Sequence, residues 1–158
     1  MDIQKILTKL RIAELNEMQQ HAAEAITGTD GDVVLLSPTG TGKTLAYLLP
    51  LVQLLDSTSD DVQALVITPG RELALQSHQV LQSMGCGIRS SACYGGRAAM
   101  DEHRVIKDVR PQIVFGTPGR LNDHLDKENI SRYHIRYLII DELHHWQEVG
   151  QRLAGSGW

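Results

Sequence analysis

Ser37-Pro-Thr-Gly-Thr-Gly-Lys-Thr44 is the stretch on which the reading of this chain turns. Before it stands Asp32-Val-Val-Leu-Leu36, β-branched and uncharged after its first residue, which reads as a buried strand. After it, residues 43–55 read as a helix that is apolar nearly all round and therefore buried. Between a strand and a helix, small residues let successive backbone N–H groups turn inward around an anion. The positive end of the helix that follows adds to the attraction. Thr39, Gly40, Thr41, Gly42, Lys43 and Thr44 are thus candidates for a phosphate cradle. Lys43 is placed to reach the outer phosphates of a nucleotide, and the Thr44 hydroxyl to ligate Mg²⁺. Ser37 stands where the strictest form of the motif has Gly. A glycine-rich turn with an exposed lysine is the plainer alternative. The strand-to-helix context and a distant acidic partner weigh against it.

That partner is Tyr137-Leu-Ile-Ile-Asp-Glu142, an apolar strand ending in two carboxylates. Ligands of open α/β sheets bind beyond the carboxyl ends of the strands. Asp141 is expected to hold Mg²⁺ there, and Glu142 to orient and deprotonate an attacking water. A helix-capping acidic pair is the alternative. Between the two motifs the pattern alternates. Residues 62–68, 88–94 and 112–115 read as strands, and residues 72–84, 97–107 and 121–127 as helices. Upstream, residues 3–12 form a short amphipathic helix, and Asn16 caps a second helix running to about residue 26. Strands separated by helices predict an α/β fold with a mostly parallel sheet and helices on both faces.

The bulk composition agrees with a folded domain. The 158 residues are 42% hydrophobic and 22% charged, enough to bury a core and too apolar for a disordered chain. A net charge of -4 gives no global basic footprint, so any nucleic-acid contact must come from a local patch. Cys86 and Cys93 are too few for a disulfide framework or a zinc site and are expected to be buried thiols in a reducing cytoplasm. No membrane association is expected, because the longest apolar run, residues 45–55, is too short to span a bilayer.

An ordered set of short segments resembles the first RecA-like domain of the DEAD-box RNA helicases. Gln19, within Asn16-Glu-Met-Gln-Gln20, is similar to the adenine-reading glutamine of the family's Q motif, and residues 37–44 resemble its motif I. Pro69-Gly-Arg-Glu-Leu-Ala74 resembles motif Ia, Tyr94-Gly-Gly96 the GG motif, Thr117-Pro-Gly-Arg120 motif Ib, and Asp141-Glu-Leu-His144 motif II. The resemblance covers about residues 10–150. It implies a RecA-like phosphate-loop sheet, ATP and Mg²⁺ as cofactors, and Lys43 and Glu142 as the catalytic pair. It further implies sequence-independent contacts to RNA backbone through Arg71, Gly95, Gly96, Thr117, Gly119 and Arg120. Backbone N–H groups at helix starts and arginine side chains hold phosphates without reading bases, which suits that role.

The sequence departs from the family pattern in several places. Gly70 stands where the family usually has Thr, and His144 where motif II usually ends in Asp. The Q motif lacks its proline and its upstream Phe, which leaves adenine recognition to Gln19. Motif III and the whole second RecA-like domain are absent, so the fold is incomplete for the family. The expectation is a partial nucleotide-binding domain over residues 1–144, with a very weak or inactive ATPase by itself. Residues 145–158 read as an irregular, appended tail, and His144, His145 and Trp146 at its start lack metal-ligand spacing. Two other readings remain open: a non-catalytic truncated or engineered scaffold, and a different phosphate-loop NTPase.

In the fold that the chain resembles, the motif III strand lies between the phosphate-loop strand and the motif II strand. Here those two strands, residues 32–36 and 137–141, both read as buried on two faces. Neighbouring strands lie about 4.8 Å apart, so omitting one leaves unpaired edges. The expected outcomes are collapse of the two strands into contact, self-association with another copy through the unpaired strands, or marginal stability.

Overall fold

The computed structural model describes residues 2–28, 30–31, 33, 42–96 and 98–141. The predicted strand at residues 32–36, apart from Val33, lies outside them, as do Thr39, Gly40, Thr41, Glu142 and the tail. The gap expected beside that strand lies there too. The described chain divides into two compact units, one drawn from residues 1–59 and 79–88, the other from residues 60–78 and 89–158.

Among the described residues the first unit is helical. Helix α1 (Ile3–Lys9) is capped by Asp2, whose carboxylate accepts from the Gln4 N–H at 3.0 Å. It ends earlier than its sequence suggests, at Leu10, and Arg11 follows in the left-handed region at φ 59°. Lys9 Nζ donates to Gly85 O at 2.9 Å, which ties the end of α1 to the turn that closes this unit. Helix α2 (Glu17–Gly28) packs against α3 (Lys43–Leu54). As its composition predicts, α3 is buried all round, with every residue from Leu45 to Val52 inside.

Among the described residues the second unit is built on four parallel strands, β1 (Ala64–Ile67), β2 (Ser90–Cys93), β3 (Ile113–Gly116) and β4 (Tyr137–Ile140), in the order β2-β3-β1-β4. β3 lies inside the sheet. Its residues Ile113 to Gly116 pair in register with Ala64–Ile67 on one side and Ser90–Cys93 on the other. All four are buried, so no polar residue is tolerated there. On one face, Leu65, Cys93 and Val114 pack with Ile106 of α5 (Ala99–Val109), Leu121 of α6 (Pro118–Asp126), Val62 and Ile130. On the other, Phe115 meets the ring of His78, on helix α4 (Arg71–Met84), with centroids 6.2 Å apart. Full burial of side chains such as Val114 and Phe115 contributes about 1.5–3 kcal/mol each.

The strand entries are fastened by polar groups. Gln112 is buried, and its side-chain oxygen accepts from the Arg89 N–H at 2.8 Å. Arg89 Nε in turn donates to Val109 O and Arg110 O, each at 3.0 Å, which satisfies carbonyls at the end of α5. Arg110 closes that helix in the left-handed region at φ 53°, and its guanidinium shares Asp60 with Arg89. The hydrophilic run at residues 56–61 is an exposed turn, as expected, with Thr58 N–H donating to Asp56 Oδ1 at 2.9 Å.

Two expectations need correcting. β4 is not buried on two faces: Leu138 is 59% and Ile140 47% exposed. They stand in register with Leu65 and Ile67, on the face that α5 and α6 cover. That cover does not extend over β4 among the described residues, so an apolar sequence leaves half its side chains at the surface. Of the two thiols, Cys93 is buried but Cys86 is only half-buried.

Gly116 has no room for a side chain. A Cβ there would sit 2.7 Å from Cys93 O and 2.8 Å from the Leu121 side chain. Gly116→Ala is expected to force β3 and α6 apart and cost about 1–3 kcal/mol, read as a lower denaturant midpoint. An unchanged midpoint would show that the two elements can separate freely.

His78 supplies a pH dependence. Burial holds its imidazole below the ordinary value of 6.5, and Nδ1 lies 2.8 Å from Ser90 Oγ. The fold favours the neutral ring, whereas the unfolded chain takes up a proton below about pH 6.5. The contribution of His78 is therefore present above that pH and lost as the pH falls through the depressed folded value. His78→Gln is expected to reduce the loss of melting temperature between pH 7.5 and 5.5 relative to the parent. Equal losses in parent and variant would show that His78 does not carry the effect.

Candidate functional site

In the first unit, the described end of the phosphate loop is Gly42, at φ 79°, followed by Lys43 and Thr44 as the opening residues of α3. Gly42 has no side chain with which to cap the helix, and the first N–H groups of a helix have no acceptor within it. Lys43 and Thr44 are half-exposed. A helix start with a lysine and a hydroxyl in its first turn suits the phosphates and Mg²⁺ of a nucleotide.

Gln19 is built against this turn. Asn16 Oδ1 accepts from the Gln19 N–H at 2.8 Å, and Gln19 Oε1 accepts from the Asn16 N–H at 3.0 Å. The pair forms a reciprocal capping box that starts α2. The remaining amide nitrogen of Gln19 donates to Gly42 O at 3.2 Å. A Cβ on Gly42 would stand 2.5 Å from that nitrogen and displace it, and the φ of 79° itself favours glycine at the position. The residue read as an adenine contact thus also ties α2 to the exit of the phosphate loop.

In the second unit, parallel pairing delivers the ends of all four strands to one edge, and the predicted segments collect there. After β1 come Thr68 to Gly70 and the start of α4 at Arg71. After β2 come Tyr94, Gly95 and Gly96, and after β3 Thr117 and the start of α6. The segments touch. The Arg71 guanidinium lies over the Tyr94 ring, 5.5 Å from its centroid. A Cβ on Gly96, whose φ is 101°, would meet Arg71 Nη1 at 2.9 Å. Backbone bonds continue the ladder across the rim: Thr117 N–H donates to Cys93 O at 3.1 Å, and Thr68 N–H to Gly116 O at 2.8 Å. Gly95 and Gly119 are exposed. Gly70 faces open space, so the Thr usual in the family would fit there. Asp141 leaves β4 at the same edge, buried, its N–H donating to Ile67 O at 2.9 Å.

The chain matches the DEAD/DEAH box helicase family model over residues 16–154. It belongs to the DEAD/DEAH box helicases. The family read from the motifs is thereby borne out, and with it the parallel α/β fold. Among relatives, the chain is 39% identical over 123 residues to the ATP-dependent RNA helicase CshA of Limosilactobacillus reuteri, covering 75% of this chain and 24% of that protein. It is 32% identical to the DEAD-box ATP-dependent RNA helicase CshC of Bacillus cereus, covering 98% of this chain and 39% of that one. Among solved structures, DEAD-box helicase Mss116 bound to ssRNA and UDP-BeF superposes with a TM-score of 0.81 at 33% identity, over 89% of this chain and 30% of that chain. A hypothetical ATP-dependent RNA helicase from Sulfolobus tokodaii gives a TM-score of 0.78 at 29% identity, over 93% of this chain and 43% of that one. The chain thus spans a quarter to two fifths of the length of these curated relatives. No helix among the described residues is long and apolar enough to cross a membrane.

The helicase motifs do not include two residues that organise the rim, Glu102 and His124. Glu102 of α5 is fully buried, and one of its oxygens accepts from the Tyr94 N–H at 2.7 Å. The other lies 2.9 Å from Nε2 of buried His124 and 3.5 Å from Nε of Arg120. Tyr94 joins that carboxylate to Arg71. A signal was present: Ala99, Glu102, Ile106 and Val109 form one helical stripe, which puts a carboxylate in line with apolar residues.

Asn16→Ala removes one side of the capping box and is expected to cost about 1 kcal/mol. Backbone amide exchange should rise in the first turn of α2 and at Gly42 together, since Gln19 bridges them. A rise confined to α2 would mean that Gln19 does not hold the loop exit.

Proposed function

We propose that the chain is the ATP-binding first RecA-like domain of an ATP-dependent RNA helicase. Its phosphate loop and Lys43 bind the phosphates of Mg-ATP, with Thr39, Gly40, Thr41 and Gly42 contributing backbone N–H groups and Gln19 facing the adenine. Thr44 and Asp141 are the residues assigned to Mg²⁺, which neutralises phosphate charge when bound. Glu142 is assigned the attacking water. Arg71, Gly95, Gly96, Thr117, Gly119 and Arg120 are assigned the RNA backbone.

The observation that supports this reading best is the convergence of the motif Ia, GG and Ib segments on one rim, with Arg71 stacked on Tyr94 and pressed close to Gly96. Another phosphate-loop enzyme, such as a small-molecule kinase, has no need of these three segments at the strand ends. An inert scaffold has no need to keep arginine at helix starts there.

Lys43→Ala tests the reading at its centre. Calorimetric titration with ATP and Mg²⁺ is expected to show an affinity at least about ten-fold below the parent, some 1.4 kcal/mol, with an unchanged circular dichroism spectrum. Equal ATP affinity in parent and variant would remove the phosphate-loop assignment.

A further inference from the structure

The buried carboxylate of Glu102 stands between two segments assigned to RNA. It leaves α5 and reaches the turn after β2, where Oε2 accepts from the Tyr94 N–H at 2.7 Å. It also reaches α6, where Oε1 faces Nε2 of His124 at 2.9 Å and Nε of Arg120 at 3.5 Å. The Glu102 and His124 side chains are 0% exposed, and that of Arg120 is 17% exposed. A carboxylate so buried is tolerated only with hydrogen bonds and a countercharge around it, and here both are present. The Asn129 side-chain nitrogen lies 3.0 Å from His124 Nδ1. This network assigns the ring proton to Nε2, so that the imidazole donates to Glu102.

We propose that Glu102 is a positioning residue for RNA binding: it fastens the turn carrying Gly95 and Gly96 to the first turns of α6 carrying Arg120, so that the two segments keep one fixed spacing. This rests on the RNA-backbone reading of those segments. The spacing matters because successive backbone phosphates lie at set intervals, and groups that meet them without reading bases gain only by being in place beforehand. Glu102 also reaches a third segment indirectly. The tyrosine whose N–H it holds lies under the Arg71 guanidinium. A single carboxylate therefore bears on motif Ia, GG and Ib groups alike.

A metal site is the competing interpretation, because ligand atoms of Cys93, Glu102 and His124 all lie within 4.8 Å of one another. The bonds oppose it. Nε2 carries a proton toward Glu102, and the Arg120 guanidinium already supplies positive charge to the same oxygen.

The two ideas, and a merely electrostatic role, separate by sign. Glu102→Gln removes a negative charge near an RNA surface, which by charge alone would tighten RNA binding. Loss of positioning weakens it instead. With the 158-residue chain and fluorescein-labelled single-stranded RNA of mixed sequence, Glu102→Gln is expected to lower affinity about ten-fold and to reduce the salt slope by about one phosphate contact. ATP affinity should be unchanged. Hydrogen–deuterium exchange should rise at residues 94–96 and 117–121 together, with or without RNA. His124→Gln, which keeps an N–H donor for Glu102, should retain most RNA affinity, whereas His124→Leu should lose it. This pair decides the matter if Glu102→Gln fails to fold. Unchanged exchange at the two segments, RNA affinity equal to or above the parent, or Zn²⁺ that raises the parent's melting temperature but not the variant's would each overturn the proposal. If exchange rises in the variant while the parent binds no RNA at all, the fastening stands and the RNA reading of the rim fails.

Discussion

Parallel pairing around β3 is the constraint from which the rest of the second unit follows. A strand bonded on both sides and buried on both faces cannot slip in register without moving its whole set of side chains. Because its neighbours run in the same direction, every strand must end at the same edge, and every return must cross back by helix or loop. The segments after β1, β2 and β3 are thus brought side by side by topology, though they are far apart in sequence. What remained for local chemistry was to hold them there, and the cross-rim backbone bonds with the Glu102 network do that.

Much of this was legible before any coordinates. The motif I segment stands out in the sequence because it combines small residues, a lysine and a hydroxyl at fixed offsets; of it only Gly42, Lys43 and Thr44 are described. Helix α3 is recognisable because residues 45–52, with no polar side chain but the Tyr47 hydroxyl, have no polar face to show. Asn16 could be named as a cap because its side chain mimics a backbone turn. β4 was misjudged for a related reason: apolar residues state what a strand tolerates, not whether a helix will lie over them. Leu138 and Ile140 are apolar at the end of the sheet, where cover gives out among the described residues. Glu102 escaped notice because a helix dense in charge is usually a solvated one, and only its phase against Ile106 distinguishes it. Gln19 was legible in one role and not in the other, since a bond to Gly42 joins residues that sequence spacing does not relate.

The charge distribution bears on how an acidic chain meets the anionic partner proposed for it. Net charge governs the field at a distance, but contact depends on which groups stand at the surface in question. Several arginines are committed elsewhere. Arg89 and Arg110 share Asp60 at the strand entries, opposite the rim in strand direction. Arg71 and Arg120 stand at the strand exits, each at or near the start of a helix whose own dipole favours anions. The parallel sheet is polarised in this sense: arginines at one end fasten the strand entries, and those at the other lie among the motif segments, Arg71 over Tyr94 and Arg120 beside Glu102.

The bond from Gln19 to Gly42 carries a consequence for how order spreads in the first unit. The same side chain that completes the start of α2 grips the carbonyl at the loop exit, so the two conformations are thermodynamically linked. Whatever fixes Gly42 favours a formed first turn of α2, and by reciprocity whatever frays that turn loosens the loop exit by the same free energy. Helix α2 thereby becomes a gauge of the state of the loop exit.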